Sequence, residues 1–193
     1  MPFAVTLRLD SVSAALAAGL QQALAKAGLS DLPTLGYPPH VTLAVLPDPA
    51  DAGALLAAVE SACRGWSRLP VRLPGLGIFP GSSAVLWLSV AAEDSLARRQ
   101  AAVRAALGDG QVLQHYRAGQ WMPHVTLAED LTEAGLSTAI QVASRGWTPI
   151  DGWLDRVEVV QFRPVSVLWS TVLAETQSGP EPSTQAAKPY PPA

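Results

Sequence analysis

The sequence contains the pentapeptide Pro-His-Val-Thr-Leu twice, and the two copies place His40 with Thr42 and His124 with Thr126. Each copy opens an apolar, β-branched run of the kind that forms a strand. Because side chains alternate between the two faces of a strand, the histidine and the threonine of one copy share a face. The proline before each histidine has no N–H to donate, which favours the start of a strand, where a cleft can open.

An imidazole is suited to proton transfer near neutral pH, because its unperturbed pKa is about 6.5. Two imidazoles on opposite sides of one substrate atom can act as general base and general acid in the same turnover. A phosphodiester needs both, since a proton leaves the attacking water or hydroxyl and another reaches the departing oxygen. Threonine hydroxyls beside the histidines can bind the non-bridging oxygens as negative charge develops on them. This chemistry requires no metal.

The repeat extends beyond the pentapeptide. The tripeptide Arg-Gly-Trp ends at Trp66 and again at Trp147, and Val-Leu-Trp ends at Trp87 and again at Trp169. The three pairs of matched motifs are separated by 84, 81 and 82 residues and occur in the same order. This spacing indicates an internal duplication. Two related halves usually pack about a pseudo-twofold axis, which would bring both His-x-Thr motifs to one central cleft.

The predicted halves cover about residues 1–91 and 92–175, and each alternates strand and helix patterns. Asp10 or Ser11 is expected to cap the first of four helices, which ends at Gly28. Its apolar side chains recur every four residues, at Val12, Leu16, Leu20 and Leu24. Besides the strand that begins at the second pentapeptide, strands are predicted over about residues 3–9, 40–46, 69–79, 84–90, 155–162 and 166–173. The strand over residues 69–79 is expected to be irregular at Pro74 and Gly75.

The paired His-Val-Thr-Leu motifs, the duplicated organisation and the chain length resemble the two-histidine (2H) phosphoesterase superfamily, which includes 2'-5' RNA ligases and 2',3'-cyclic phosphodiesterases. The resemblance covers about residues 3–174. It implies an α+β fold of two lobes, in which antiparallel sheets flanked by helices surround a V-shaped cleft. It also implies that His40 and His124 are the catalytic pair and that Thr42 and Thr126 bind phosphate. The implied substrates are 2',3'-cyclic phosphates and 2'-5' linkages, at RNA ends or on nucleotides.

Basic and aromatic residues near the two motifs are further candidates for substrate binding. Arg117 has the forked geometry that can hold a phosphate, or it is a solvated loop cation. Trp121 and Tyr37 each stand three residues before a motif histidine. Tyr116 or Trp121 can stack on a base, and Tyr37 and Trp121 can form walls of the cleft or pack in the core. We therefore predict that Tyr37, Arg117 and Trp121 bind substrate, with the structural roles as alternatives.

The charge balance limits the kinds of partner. The chain has 13 Lys and Arg against 16 Asp and Glu, a net charge of −3, and no basic stripe. This argues against extended nucleic-acid binding and favours a small nucleotide or a short RNA end. With one cysteine, three histidines and no H-x-H or H-E-x-x-H spacing, we predict no metal site and no cofactor. A metal-dependent hydrolase is therefore disfavoured, and the remaining alternative to an enzyme is a non-catalytic module that binds a nucleotide or RNA end.

The chain is expected to act in the cytoplasm as a monomer. No apolar run approaches the roughly 18 residues of a membrane span, and the first residues do not resemble a signal peptide. We therefore predict no membrane binding. Residues 176–193 carry five prolines and almost no side chains to bury, which predicts a disordered tail.

Overall fold

The structure is a computed structural model that describes residues 2–47, 51–91, 94–145, 147–162 and 164–175. The predicted proline-rich tail lies outside these residues. The described strands are β1 (Phe3–Leu9), β2 (His40–Leu46), β3 (Leu69–Leu73), β4 (Leu76–Phe79), β5 (Ala84–Ser89), β6 (His124–Leu131), β7 (Ile150–Gln161) and β8 (Ser166–Val172). The helices are α1 (Ser11–Lys26), α2 (Ala52–Cys63), α3 (Asp94–Leu107) and α4 (Glu133–Ser144), with short 3₁₀ helices at Leu32–Leu35 and Gln114–Tyr116.

Helix α1 begins where its cap is predicted, but it buries a different face. The Asp10 carboxylate accepts hydrogen bonds from the N–H groups of Val12 and Ser13, at 2.9 and 3.2 Å. The predicted apolar stripe is wrong in its first two turns, since Val12 and Leu16 are 67% and 54% exposed. Small side chains allow α1 to approach β7 closely, and Gly152 on β7 has no room for a Cβ beside Ser13. The buried face of the helix consists of Ser13, Ala17, Gln21 and Leu24.

The strands form two antiparallel sheets, and each sheet takes strands from both predicted halves. The first sheet has the order β2-β1-β7-β3, with β8 also paired to β7, and the second has the order β4-β5-β6. The prediction of one strand over residues 69–79 is wrong, although the irregularity expected at Pro74 and Gly75 is present as a break between two strands. The chain breaks at Pro74 and Gly75, so that β3 joins the first sheet and β4 joins the second. The short segment between β3 and β4 therefore connects the two sheets.

The two motif strands lie at the facing edges of the two sheets. Strand β2 ends the first sheet, β6 ends the second, and they pack against each other without a hydrogen-bonded ladder among the described residues. Side chains from other parts of the chain instead donate hydrogen bonds to backbone carbonyl groups of these strands. The Trp121 indole N–H donates to the carbonyl of Thr42 at 2.9 Å, Gln100 Nε2 donates to that of Leu43 at 3.2 Å, and Gln21 Nε2 donates to that of Thr126 at 2.8 Å.

The two glutamines occupy matching positions in the two predicted halves. Both are nearly buried, with Gln21 8% and Gln100 4% exposed. A constant separation of 79 residues relates the buried positions of α1 to those of α3, namely Ala17 to Leu96, Gln21 to Gln100 and Leu24 to Val103. Each helix therefore uses an amide at the same place to hold the motif strand of the other half.

Replacing Gln100 with Leu should destabilise the protein. The Gln100 amide donates to the carbonyls of Leu43 and Tyr116, at 3.2 and 2.6 Å, and leucine would leave both without this donor. Each buried unsatisfied group costs roughly 1–3 kcal/mol of the free energy of unfolding. Urea denaturation would measure the loss, with the exposed Gln22→Leu on α1 as the matched control. Equal stability of the two variants would contradict the role of Gln100.

Candidate active site

Successive side chains of each motif point alternately into the hydrophobic core and into a cavity. Val41 and Leu43 on β2, like Val125 and Leu127 on β6, are fully buried in the core. The motif histidines and threonines point the other way and line one cavity of about 270 Å³. The structure thus brings together the four residues His40, Thr42, His124 and Thr126, from strands that meet at the boundary between the two sheets.

Each imidazole is fixed by the backbone just before its strand. His40 Nδ1 lies 2.9 Å from the carbonyl oxygen of Pro38, and His124 Nδ1 lies 2.8 Å from that of Met122. A carbonyl oxygen can only accept, so Nδ1 is the protonated nitrogen in each neutral ring. Nε2 therefore carries the lone pair that can accept a proton, and in the imidazolium it is the nitrogen able to donate one.

The two imidazoles have different neighbours. His40 packs against the ring of Tyr37, with 4.7 Å between ring centroids. His124 meets the ring of Phe79 edge to face at 4.9 Å and lies 5.9 Å from the ring of Trp87. The first histidine therefore adjoins a phenol, whereas the second packs against two aromatic rings that also contact each other.

Behind Tyr37 lies a polar network that the sequence motifs did not predict. The Tyr37 hydroxyl donates to Glu158 Oε2 at 2.8 Å and lies 2.7 Å from the Thr6 hydroxyl. Arg8 and Ser170 also donate to the Glu158 carboxylate, each at 3.2 Å. The sequence signal that could have indicated this network is the alternation of side chains along β1, which places Thr6 and Arg8 on one face. Their register partners on β2 are Thr42 and His40, which places this network on the face of the sheet that carries the motif.

Burial favours the neutral form of both imidazoles. It lowers the pKa of His40 to about 4, and the positive charge of Arg8 contributes in the same direction. Burial also lowers the pKa of His124 below its usual range. A phosphate anion beside either ring would raise its pKa again, because an opposite charge favours the imidazolium. The cavity therefore holds two bases, and an anionic substrate can convert one of them into an acid.

The remaining walls of the cavity are largely apolar. They include Leu32, Leu35, Tyr116, Phe162 and Val165, together with the ring of Tyr37. Aromatic rings and aliphatic side chains of this kind can accommodate a base and a sugar, while the motif groups supply the polar contacts.

The structure places two of the predicted binding residues outside the cavity. Arg117 is exposed, and its guanidinium donates to the carbonyls of Val112 and Gly110, at 3.2 and 3.3 Å. The Trp121 indole packs against the core and donates to the carbonyl of Thr42. Neither side chain lines the cavity, whereas Tyr37 and Tyr116 do.

Neither a metal-binding cluster nor a membrane-spanning helix is found among the described residues. No group of three or more histidine, cysteine, aspartate or glutamate side chains in this part of the chain could hold a metal ion. None of its helices combines the length and the apolar character that crossing a bilayer requires.

Comparison with known proteins places this geometry in a family. The family model of the 2'-5' RNA ligase superfamily matches residues 10–164. The crystal structure of TT0787 of Thermus thermophilus is 19% identical, covers 91% of this chain and 99% of its own, and has a TM-score of 0.61. E. coli LigT complexed with 3'-AMP is 16% identical, covers 91% of this chain and 100% of its own, and has a TM-score of 0.59. No curated protein sequence matches the chain.

Each of the two antiparallel sheets supplies a histidine and a threonine to one cavity. The family match and the structural neighbours place the chain in the two-histidine phosphoesterase superfamily. Within that superfamily, the chain belongs to the 2'-5' RNA ligase superfamily, whose model covers most of its length. The resemblance inferred from the sequence is confirmed, as is the α+β fold of antiparallel sheets flanked by helices.

Acid should destabilise the folded protein through His40. Its pKa of about 4 in the folded protein lies below the ordinary value of 6.5, so the unfolded chain binds the proton more tightly. Stability should therefore fall as the pH drops from about 6.5 to about 4, by roughly 1–3 kcal/mol. Urea denaturation of the wild type and of His40→Gln at pH 7 and pH 4.5 would measure this, and the variant should lose less stability. The exposed His115→Gln is the control and should lose as much stability as the wild type. An identical pH dependence in all three proteins would contradict the role of His40 in the loss of stability in acid.

Proposed function

We propose that the protein is a metal-independent phosphodiesterase that acts on 2',3'-cyclic phosphate ends of RNA or nucleotides, on 2'-5' RNA linkages, or on both. The observation that carries the proposal is the pair His40 and His124 lining one cavity, each with Nδ1 held by a carbonyl and with a threonine of its own strand beside it. This is the arrangement that general acid-base catalysis on a phosphodiester requires.

In the proposed hydrolysis of a cyclic phosphate, one histidine Nε2 accepts a proton from water as the water oxygen bonds to phosphorus. The bond between phosphorus and one ribose oxygen breaks, and the second histidine, as an imidazolium, gives its Nε2 proton to that oxygen. The Thr42 and Thr126 hydroxyls donate hydrogen bonds to the non-bridging oxygens, where charge accumulates. Ligation uses the same pair with a ribose hydroxyl of a second RNA end in place of water. That hydroxyl gives its proton to one histidine as its oxygen bonds to phosphorus, the bond from phosphorus to one oxygen of the cyclic phosphate breaks, and the other histidine protonates the released oxygen.

The proposal assigns different tasks to the other candidates. Tyr37 contributes its ring as a wall of the cavity, because its hydroxyl is engaged by Thr6 and Glu158. Trp121 supports the first motif through the carbonyl of Thr42. Arg117 holds the loop before the second motif through backbone carbonyls. We propose no direct phosphate contact for Arg117 in this arrangement.

The proposed substrate is a small nucleotide or a short RNA end, bound by a monomer in the cytoplasm. Structures of E. coli LigT with 3'-AMP, NADP+ and ATP support small nucleotides as ligands of this fold. The cavity of about 270 Å³ is of a size for part of a nucleotide, consistent with a substrate that enters by its phosphate end.

Alanine at either histidine should abolish turnover. Each proton transfer contributes roughly 10²- to 10⁴-fold to the rate, so His40→Ala and His124→Ala should each lose at least about 100-fold in kcat. The protein would be incubated, with a chelator present, with a 2',3'-cyclic mononucleotide and a short RNA ending in a cyclic phosphate. Phosphorus NMR would identify a 2'- or 3'-monoester. His115→Ala, which changes an exposed loop histidine, should retain wild-type turnover.

Full activity of the double histidine variant would overturn the assignment of the catalytic pair. Wild-type activity that is present without the chelator and lost with it would indicate a metal-dependent enzyme. Tight binding of an unchanged nucleotide by calorimetry, with no product after long incubation, would instead support the non-catalytic binding module.

Valine at either threonine should lower kcat while leaving the fold intact. Thr42→Val and Thr126→Val keep the side-chain shape but remove the hydroxyl that is proposed to bind the phosphate. Removing one such donor in a catalytic site costs roughly 10²- to 10³-fold in kcat where the bond strengthens in the transition state. Steady-state kinetics on the cyclic mononucleotide would measure the effect, with Thr138→Val on the exposed side of α4 as the control. Unchanged kcat in both motif variants would exclude the proposed role.

A further inference from the structure

A second cavity, of about 380 Å³, adjoins the first on the His40 side. It lies between the first turns of α1 and the segment that leads into β2. Gln21, Tyr37 and Pro39 line both cavities, so the two share a wall beside the motif. The second cavity is therefore the space next to the first on this side of the motif.

Arg8 gives the second cavity a cationic group. It lines this cavity and is the register partner of His40 on the neighbouring strand. One end of its guanidinium donates to Glu158, and the group also lies over the ring of Tyr37, 5.3 Å from the centroid. The Arg8 Nε group is buried and has no hydrogen-bond partner among the described residues. Buried polar groups in folded proteins usually have a hydrogen-bond partner, and the described residues supply none for this one.

The charge on this face of the sheet also favours an anion. Arg156 on β7 is the register partner of Arg8, and its guanidinium donates to the Ser170 hydroxyl at 3.2 Å. The two guanidinium groups and the Glu158 carboxylate together carry one formal positive charge. Glu158 thus compensates one of the two cations, and an added phosphodiester would compensate the other.

The rest of the second cavity suits a nucleoside. Small side chains of α1, including Ala14, Ala15 and Ala18, form one side, and Pro33 and Pro38 form another. These surfaces are apolar and leave room for a ring, while the amide of Gln22 and the hydroxyl of Ser11 lie at its border.

We propose that the second cavity binds the nucleotide that adjoins the reacting one in an RNA substrate, with its phosphate on Arg8. This inference rests on the phosphodiesterase function proposed above and extends it. The preferred substrate is then an RNA end of at least two nucleotides, rather than a cyclic mononucleotide.

The test compares kcat/KM for a dinucleotide that ends in a 2',3'-cyclic phosphate with kcat/KM for the cyclic mononucleotide. The wild type should prefer the dinucleotide by about tenfold or more, since a hydrogen bond to a charged group contributes at least that factor. Ala15→Trp would place a large ring in the second cavity without replacing Arg8 or Glu158, and it should remove the preference. Leu16→Trp, on an exposed position of the same helix, should keep it.

A second variant tests Arg8 without leaving Glu158 unpaired. Arg8→Lys keeps the positive charge but lacks the Nε donor and the planar fork, so the preference should fall while Arg8→Lys remains folded by circular dichroism. A wild-type ratio near one, or equal losses on both substrates in Ala15→Trp, would overturn the inference and leave the phosphodiesterase function standing. No turnover of either substrate by the wild type would instead overturn the proposed function.

Discussion

Two unpaired strand edges are the constraint on which the rest of the structure depends. Strands β2 and β6 end separate sheets and lie side by side, yet no ladder joins them among the described residues. A ladder would satisfy their carbonyl groups, but it would merge the sheets and close the space in front of the histidines. Amide and indole donors from Gln21, Gln100 and Trp121 bind those carbonyls instead. The cavity exists because side chains take the place of a neighbouring strand.

The same arrangement explains the electrostatics of the cavity. Both histidines begin their strands and are anchored through Nδ1, which fixes the position of their rings. Burial makes the imidazolium costly, which lowers both pKa values. An anionic substrate removes that cost for the ring it approaches. In the proposed reaction the protein therefore supplies neutral bases, and the substrate supplies the charge that makes one of them an acid.

The sequence was sufficient to predict the features that repeat within it and insufficient for those that arise from distant pairing. The two pentapeptides and the matched tripeptides predicted the shared cavity of His40 and His124 and the α+β fold. The contact of Arg8 with Glu158 joins residues 150 positions apart, and no local pattern predicts it. The face of α1 was missed because small and polar side chains, Ser13 and Gln21 among them, pack where a larger apolar stripe was expected. Arg117 lies near the second motif in sequence, but its guanidinium is held by the backbone of its own loop.

The exchange of strands between the halves has a consequence for the order of folding. Strand β1 pairs with β7, which begins at Ile150, so the first sheet is incomplete until most of the chain has been synthesised. Strands this distant in sequence pair slowly, because the intervening chain loses conformational entropy before the contacts between the strands can compensate for that loss. Half of the chain, despite its resemblance to the other half, has neither sheet complete. The two predicted halves must therefore fold together, and a nascent chain can complete the first sheet only after β7 and β8 have been synthesised.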